Sequence, residues 1–263
     1  VPEPTQRKAD TVAGTLLVAL VVSLVCSSLV ASAAVVLKPR QVANALLDMR
    51  RNILEVAGLM DPSGEVEELY QQIEPRVVDL DTGQYVGDVD PEGFDPIEAA
   101  KDPERSVGIP DDIDRARIGR RAKHGLVYLV RADGEVTRII LPVSGYGLWS
   151  TMYGFLALEP DGNTIADLTF YAHGETPGLG DFVSKPEWRE GWRDKVAFDP
   201  EGNLRIEVMK GRVSPDDPSA DYHVDGVSGA TLTGNGVSKL LQYWLGDHAY
   251  GPYLRNLQRG DGA

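Results

Sequence analysis

The sequence predicts an α+β fold: a single N-terminal transmembrane helix followed by a domain of mainly antiparallel β-structure with packed helices. Three observations lead there. Residues 11–37 are apolar and uncharged, the middle of the chain holds short strand-like segments joined by turns, and an amphipathic helical pattern follows a small-residue stretch near residue 230. The strand segments lack the regular intervening helices of a doubly wound fold, which favours an antiparallel α+β domain.

Residues 1–10 form a short tail. Thr11 to Leu37 is a run of 27 residues without a charge. At 1.5 Å per residue it extends roughly 40 Å, more than the ~30 Å hydrocarbon layer of a bilayer. Arg7, Lys8 and Ala31-Ser32-Ala33 also fit a cleaved secretory signal. The length of the run and the stop-transfer character of Lys38-Pro39-Arg40 favour a retained anchor. Cys26, the sole cysteine, lies inside it, which excludes an intrachain disulfide and a four-thiolate iron–sulfur site built from this chain alone.

Residues 38–263 make up the extramembrane domain. All of the net charge of −14 belongs to it, because the two basic and two acidic residues of the tail cancel. That acidity makes nucleic acid a poor partner. Val42, Leu46, Met49, Ile53 and Val56 form a helical stripe over Gln41 to Val56, a helix that either packs on the domain or continues the anchor. A short helix is expected over Glu65 to Ile73, and 79–114 as a peripheral loop. The acidic residues of that loop, Asp88, Asp90, Asp95, Asp111, Asp112 and Asp114 among them, lack EF-hand spacing. Two hairpins follow, Leu126–Val130 with Val136–Val143 and Tyr153–Leu158 with Ile165–Tyr171, and Leu204–Met209 is expected as a fifth strand.

Asp225-Gly226-Val227-Ser228-Gly229-Ala230-Thr231-Leu232-Thr233 leads into a helix whose apolar stripe is Val237, Leu240, Leu241, Trp244 and Leu245. Unpaired N–H groups and the peptide dipoles at that helix start suit a phosphate beside Thr231. Ser, Thr and Gly before an apolar run are equally ordinary capping residues. The stretch carries neither G-x-G-x-x-G nor G-K-[ST].

Two further stretches, Gly145 to Tyr153 and His173 to Gly180, combine flexible backbone with aromatic or hydroxyl side chains, and fit a pocket or ordinary turn plus core. His124, His173, His223 and His248 form no H-E-x-x-H or Cys-His pattern, which argues against zinc catalysis. No Gly-x-Ser-x-Gly surrounds Ser228, which argues against a hydrolase. Lys210 and Lys239 offer charge to balance a phosphate without a specific pattern.

Asp225, Ser228, Gly229, Ala230 and Thr231 fit the flavinylation pattern Asp-x-x-(Ser/Thr)-Gly-Ala-(Ser/Thr). With the apolar anchor, Gly145-Tyr146-Gly147-Leu148-Trp149-Ser150, His173-Gly174-Glu175-Thr176-Pro177-Gly178-Leu179-Gly180 and the last helix, the chain resembles the covalent FMN-binding C subunit of the bacterial Na+-translocating NADH:quinone oxidoreductases along nearly its whole length. The resemblance implies an electron-transfer subunit with FMN covalently attached to Thr231 through a phosphoester, installed by an FMN transferase. It also implies an isoalloxazine environment of Glu175, Thr176, Leu179 and Gly180, with Trp149 from the other loop.

Other membrane and peripheral subunits are implied as partners, which would oxidise NADH and reduce quinone while this chain oxidises no NADH alone. The implied location is the bacterial inner membrane with the large domain periplasmic, whereas Lys38, Arg40, Arg50 and Arg51 against Arg7 and Lys8 mildly favour a cytoplasmic domain. The corresponding flavin subunit of the Rnf complex shares the pattern and is the alternative, coupling to ferredoxin and NAD; the length of the 79–114 excursion favours the quinone-reductase subunit. A non-redox scaffold or ligand-binding module on a membrane tether is a third reading.

Overall fold

A computed structural model describes residues 11–61, 63–214 and 216–260; the tail at 1–10 lies outside them. The chain divides into two units with the boundary between Asp48 and Met49. Helix α1 (Val12–Val56) is continuous and carries Pro39 inside it. The helix expected from Gln41 therefore continues the anchor rather than starting afresh, although proline withholds one i→i−4 hydrogen bond. Its apolar window has a mean hydropathy of 2.5 and is unburied, so by length and composition α1 is able to cross a membrane.

The second unit begins within the end of α1, where Ile53, Leu54 and Val56 are buried. There follow α2 (Val66–Tyr70), β1 (Ile73–Asp79), α3 (Pro96–Lys101), β2 (Ser106–Gly108), β3 (Arg120–Ala122), β4 (His124–Ala132), β5 (Glu135–Tyr146), β6 (Thr151–Leu158) and β7 (Ile165–Ala172). The chain closes with α4 (Pro186–Arg189), β8 (Glu207–Val208), β9 (His223–Val224), α5 (Thr231–Trp244) and α6 (Gly251–Arg259). Strands β1-β4-β5-β6-β7 form one sheet, with every pairing antiparallel.

The two hairpins form where alternation and turn residues place them. Asp133 and Gly134, both at positive φ, make the two-residue turn between β4 and β5. The fifth strand differs from expectation: it is β1, while Leu204–Met209 contributes only β8, paired in parallel with β9. Glu74-Pro75-Arg76 breaks the apolar alternation of β1, and a proline is tolerated there because the strand lies at the sheet edge. The expected Glu65–Ile73 helix is shorter, Val66–Tyr70, because Ile73 already opens β1. Within 79–114, Asp95 caps α3 by accepting from the amides of Ile97 and Glu98 at 2.8 and 3.2 Å, so this acidic stretch carries secondary structure of its own.

Gly125 to Val130 of β4 are all buried, the mark of a strand covered on both faces. On one face Leu129, Ile139, Leu141, Leu156, Leu158 and Leu168 join a core with Val237, Leu240 and Leu241 of α5 and Tyr250 and Tyr253 near α6. On the other, Tyr128 meets Phe155 edge-on and Phe155 stacks on Tyr171 with centroids 5.1 Å apart.

Arg189 of α4 holds Asp167 of β7 with two hydrogen bonds, from Nη2 at 2.6 Å and Nε at 3.3 Å, and also reaches Glu55 at the end of α1. Asp167 is 7% exposed. Removing one partner of such a buried pair strands the other charge and costs about 3 kcal/mol. Arg189→Ala therefore lowers the thermal midpoint of the domain; a melting curve that overlays the wild type would show that the pair adds no stability.

Candidate functional site

Helix α5 starts at Thr231, with Ala230 at the N-cap and no side-chain cap. The capping reading of Ser228 and Thr231 is thus not what the chain builds: the helix start is left without a side-chain acceptor. Val237, Leu240, Leu241 and Leu245 are fully buried and Trp244 nearly so, which seats the helix on the sheet. Close approach needs the glycines. A Cβ on Gly236 would lie 2.8 Å from the Tyr146 carbonyl oxygen, and one on Gly145 would lie 2.6 Å from Cβ of Leu240. Helical glycine costs about 1 kcal/mol against alanine; here it brings the start of α5 against the end of β5.

The loop before α5 is held from outside. Asp225 accepts from the Val213 amide through Oδ1 at 2.7 Å and from the Trp188 indole through its carbonyl at 2.9 Å. Gly226 donates its amide to the Gly211 carbonyl at 2.7 Å and passes so near Met209 that a Cβ would sit 1.9 Å from its oxygen. Gly229 takes φ +83, a left-handed turn that favours glycine.

The β5–β6 turn is buttressed by Arg117, which donates from Nη2 to the Gly147 carbonyl at 3.2 Å and lies 3.8 Å from the Tyr146 ring centroid. Tyr146 donates its hydroxyl to the Trp149 carbonyl at 2.9 Å. The segment after β7 joins this turn: the Gly174 amide donates to Ser150 Oγ at 2.6 Å, and the Trp149 indole to Thr176 Oγ1 at 3.0 Å. His173 Nε2 sits 2.8 Å from Ser184 Oγ.

One side chain joins all three segments. Glu175, 4% exposed, accepts from the amides of Leu148 and Trp149 through Oε1, each at 3.0 Å, and from the Thr233 hydroxyl through Oε2 at 2.5 Å. Around it opens a cleft of about 210 Å3, lined by Leu148, Glu175, Thr176, Leu179, Gly180 and the run Gly229 to Thr233. Leu179 and Leu232 are about half exposed at its walls, and Trp149 is exposed beside it. Thr231 is itself exposed, at the first turn of α5. The cleft therefore offers a reachable hydroxyl, an uncapped helix start and apolar walls, a combination suited to an anion joined to a flat apolar body.

Of the residues singled out in the sequence, Glu175, Thr176, Leu179, Gly180, Gly229, Ala230 and Thr231 line this cleft. Asp225, Ser228 and Trp149 do not: Asp225 shapes the loop from behind, Ser228 is exposed on it, and Trp149 ties the two neighbouring loops together. Arg117 and Trp188, whose partners are 30 and 37 residues away, carry no local signal in the sequence. Among the described residues no group of three or more His, Cys, Asp or Glu is placed to hold a metal ion.

Residues 147–246 match the family described as FMN-binding domain. The chain is 51% identical over 251 residues to the C subunit of the Na(+)-translocating NADH-quinone reductase of Pseudomonas aeruginosa, covering 94% of this chain and 96% of that one. The Yersinia pestis protein of the same name is 46% identical over 259 residues, covering 97% and 96%. The crystal structure of NqrC from Shewanella oneidensis superposes with a TM-score of 0.74 at 37% identity, covering 81% of this chain and 97% of that one. On full-length identity and on fold, the chain belongs to the family of C subunits of the Na(+)-translocating NADH-quinone reductases.

Proposed function

We propose that this chain is the electron-transfer subunit of a Na+-translocating NADH:quinone reductase, carrying FMN through a phosphoester at Thr231, with its large domain on the periplasmic side of the inner membrane. The observation that carries the reading is the cleft, which gathers Thr231 with Thr176, Leu179 and Gly180 from a segment more than 50 residues earlier. The residues fit FMN. The uncapped start of α5 suits the phosphate, and Leu148, Leu179 and Leu232 supply apolar contact for a planar ring. At about 210 Å3 the cleft is below the ~300–1,000 Å3 of enclosing ligand pockets. A cleft of this size would enclose part of the cofactor and leave the rest outside it. FMN supplies the electron-accepting chemistry; the protein supplies position, shielding and electrostatics.

Thr231 is favoured over its hydroxyl neighbours on access as well as pattern. Thr233 is 1% exposed and spends its hydroxyl on Glu175, whereas Thr231 is open at the helix start. Ser228 is also exposed and is the chemical rival. The Rnf reading shares the pattern, but near full-length identity to relatives from the quinone reductase supports the latter, and the FMN-binding domain match weighs against a non-redox scaffold.

After co-expression with an FMN transferase, the wild-type chain gains the mass of one FMN less one water on the peptide that contains Thr231. Thr231→Val folds and gains none. A flavin found on Ser228 in that variant would overturn the assignment. The purified, flavin-loaded chain oxidises no NADH by itself, and a stopped-flow trace showing rapid NADH oxidation would refute its role as a carrier fed by other subunits. A phosphatase fused after residue 263, active only outside the cytoplasm, is active if the domain is periplasmic; an inactive but intact fusion places it in the cytoplasm.

A further inference from the structure

We propose that Glu175 is a positioning residue for the electron-carrying cofactor: it holds the cleft in shape before the cofactor is attached, and its buried charge opposes negative charge on the reduced ring. The inference rests on the reading that a flavin occupies this cleft. Glu175 belongs to the segment after β7, yet its three donors come from the β5–β6 turn and from α5. The surroundings are cut to fit a carboxylate. A Cβ on Gly147 would lie 2.5 Å from Oε1, and one on Gly180 would lie 3.0 Å from Oε2.

All three donors are neutral, so the carboxylate is satisfied by hydrogen bonds without its charge being cancelled. Glu175 also lines the cleft. A charge away from water acts on its neighbours through a lower effective dielectric than a surface charge does. Two electrons and one proton turn an oxidised flavin into its anionic reduced form, with the electrons coming from the donor subunits in the complex or from dithionite in a titration. A fixed negative charge lining the cleft would disfavour that product and hold the potential down.

Glu175→Gln separates shape from charge. Its carbonyl oxygen still accepts from Leu148 and Trp149, and its amide donates to Thr233, whose hydroxyl rotates to accept. Glu175→Ala removes the acceptor of all three donors. Both are made in the full-length chain in detergent. Hydrogen exchange at the Leu148 and Trp149 amides is measured without flavin, and the midpoint potential after transferase loading, with the attached flavin located by mass spectrometry.

The Ala variant is expected to exchange those amides at least tenfold faster, while the Gln variant stays near wild type. The Gln variant is expected to load normally and to ease reduction about tenfold, a positive shift of about 30 mV for a two-electron couple. Wild-type exchange in the Ala variant, or an unshifted potential in a loaded Gln variant, overturns the proposal. The Gln variant decides the question of charge whether or not the Ala variant folds. A wild-type chain that takes up no flavin would sink the attachment at Thr231, a separate failure that the exchange comparison on the flavin-free chain does not share.

Discussion

The close approach of α5 to the end of β5 is the constraint on which the site depends. A Cβ on Gly145 would run into Leu240 of α5 and one on Gly236 into the backbone of Tyr146 and Gly147, so the helix sits where a side chain at either position would push it away. Leu240 and Leu241 are then fully buried, at about 1.5–3 kcal/mol for each such side chain, which outweighs the cost of glycine in the helix. The first turn of α5 is delivered beside the β5–β6 turn, and the segment after β7 closes the third side. Burial along one helix face thus sets the geometry of a polar site at its end.

Much of this was legible in the sequence because it is local. The stripe from Val237 to Leu245, the Asp133-Gly134 turn and the uncharged run at 11–37 each declare themselves within a few residues. Gly229, Ala230 and Thr231 of the Asp225–Thr231 stretch and Glu175, Thr176, Leu179 and Gly180 of the His173–Gly180 stretch line the same cleft. What stayed hidden is what distance hides. Edge strand β1 is masked by Pro75, and the jobs of Asp225 and Glu175 follow from partners on other elements. The resemblance puts Glu175 in the surroundings of the ring; the hydrogen bonds that hold its carboxylate, from Leu148, Trp149 and Thr233, carry no local signal in the sequence.

The two halves of the site also differ in how they are held. The segment carrying Glu175 is fastened by polar contacts to its neighbours, through Gly174, Thr176 and Glu175 itself. The loop carrying Thr231 has its fastenings on the far side, at Val213, Trp188 and Gly211. One wall of the cleft is therefore tied inward and the other is braced from behind, the two being joined by the hydrogen bond from Thr233 to Glu175 while Thr231 stays exposed.

The brace on Asp225 makes a local turn depend on distant segments. Its carboxylate meets Val213 and its carbonyl meets Trp188, 12 and 37 residues away, so the shape of the turn that presents Thr231 rests on contacts with those distant segments. The face that Thr231 presents is thus a property of the folded domain, not of a run of seven residues.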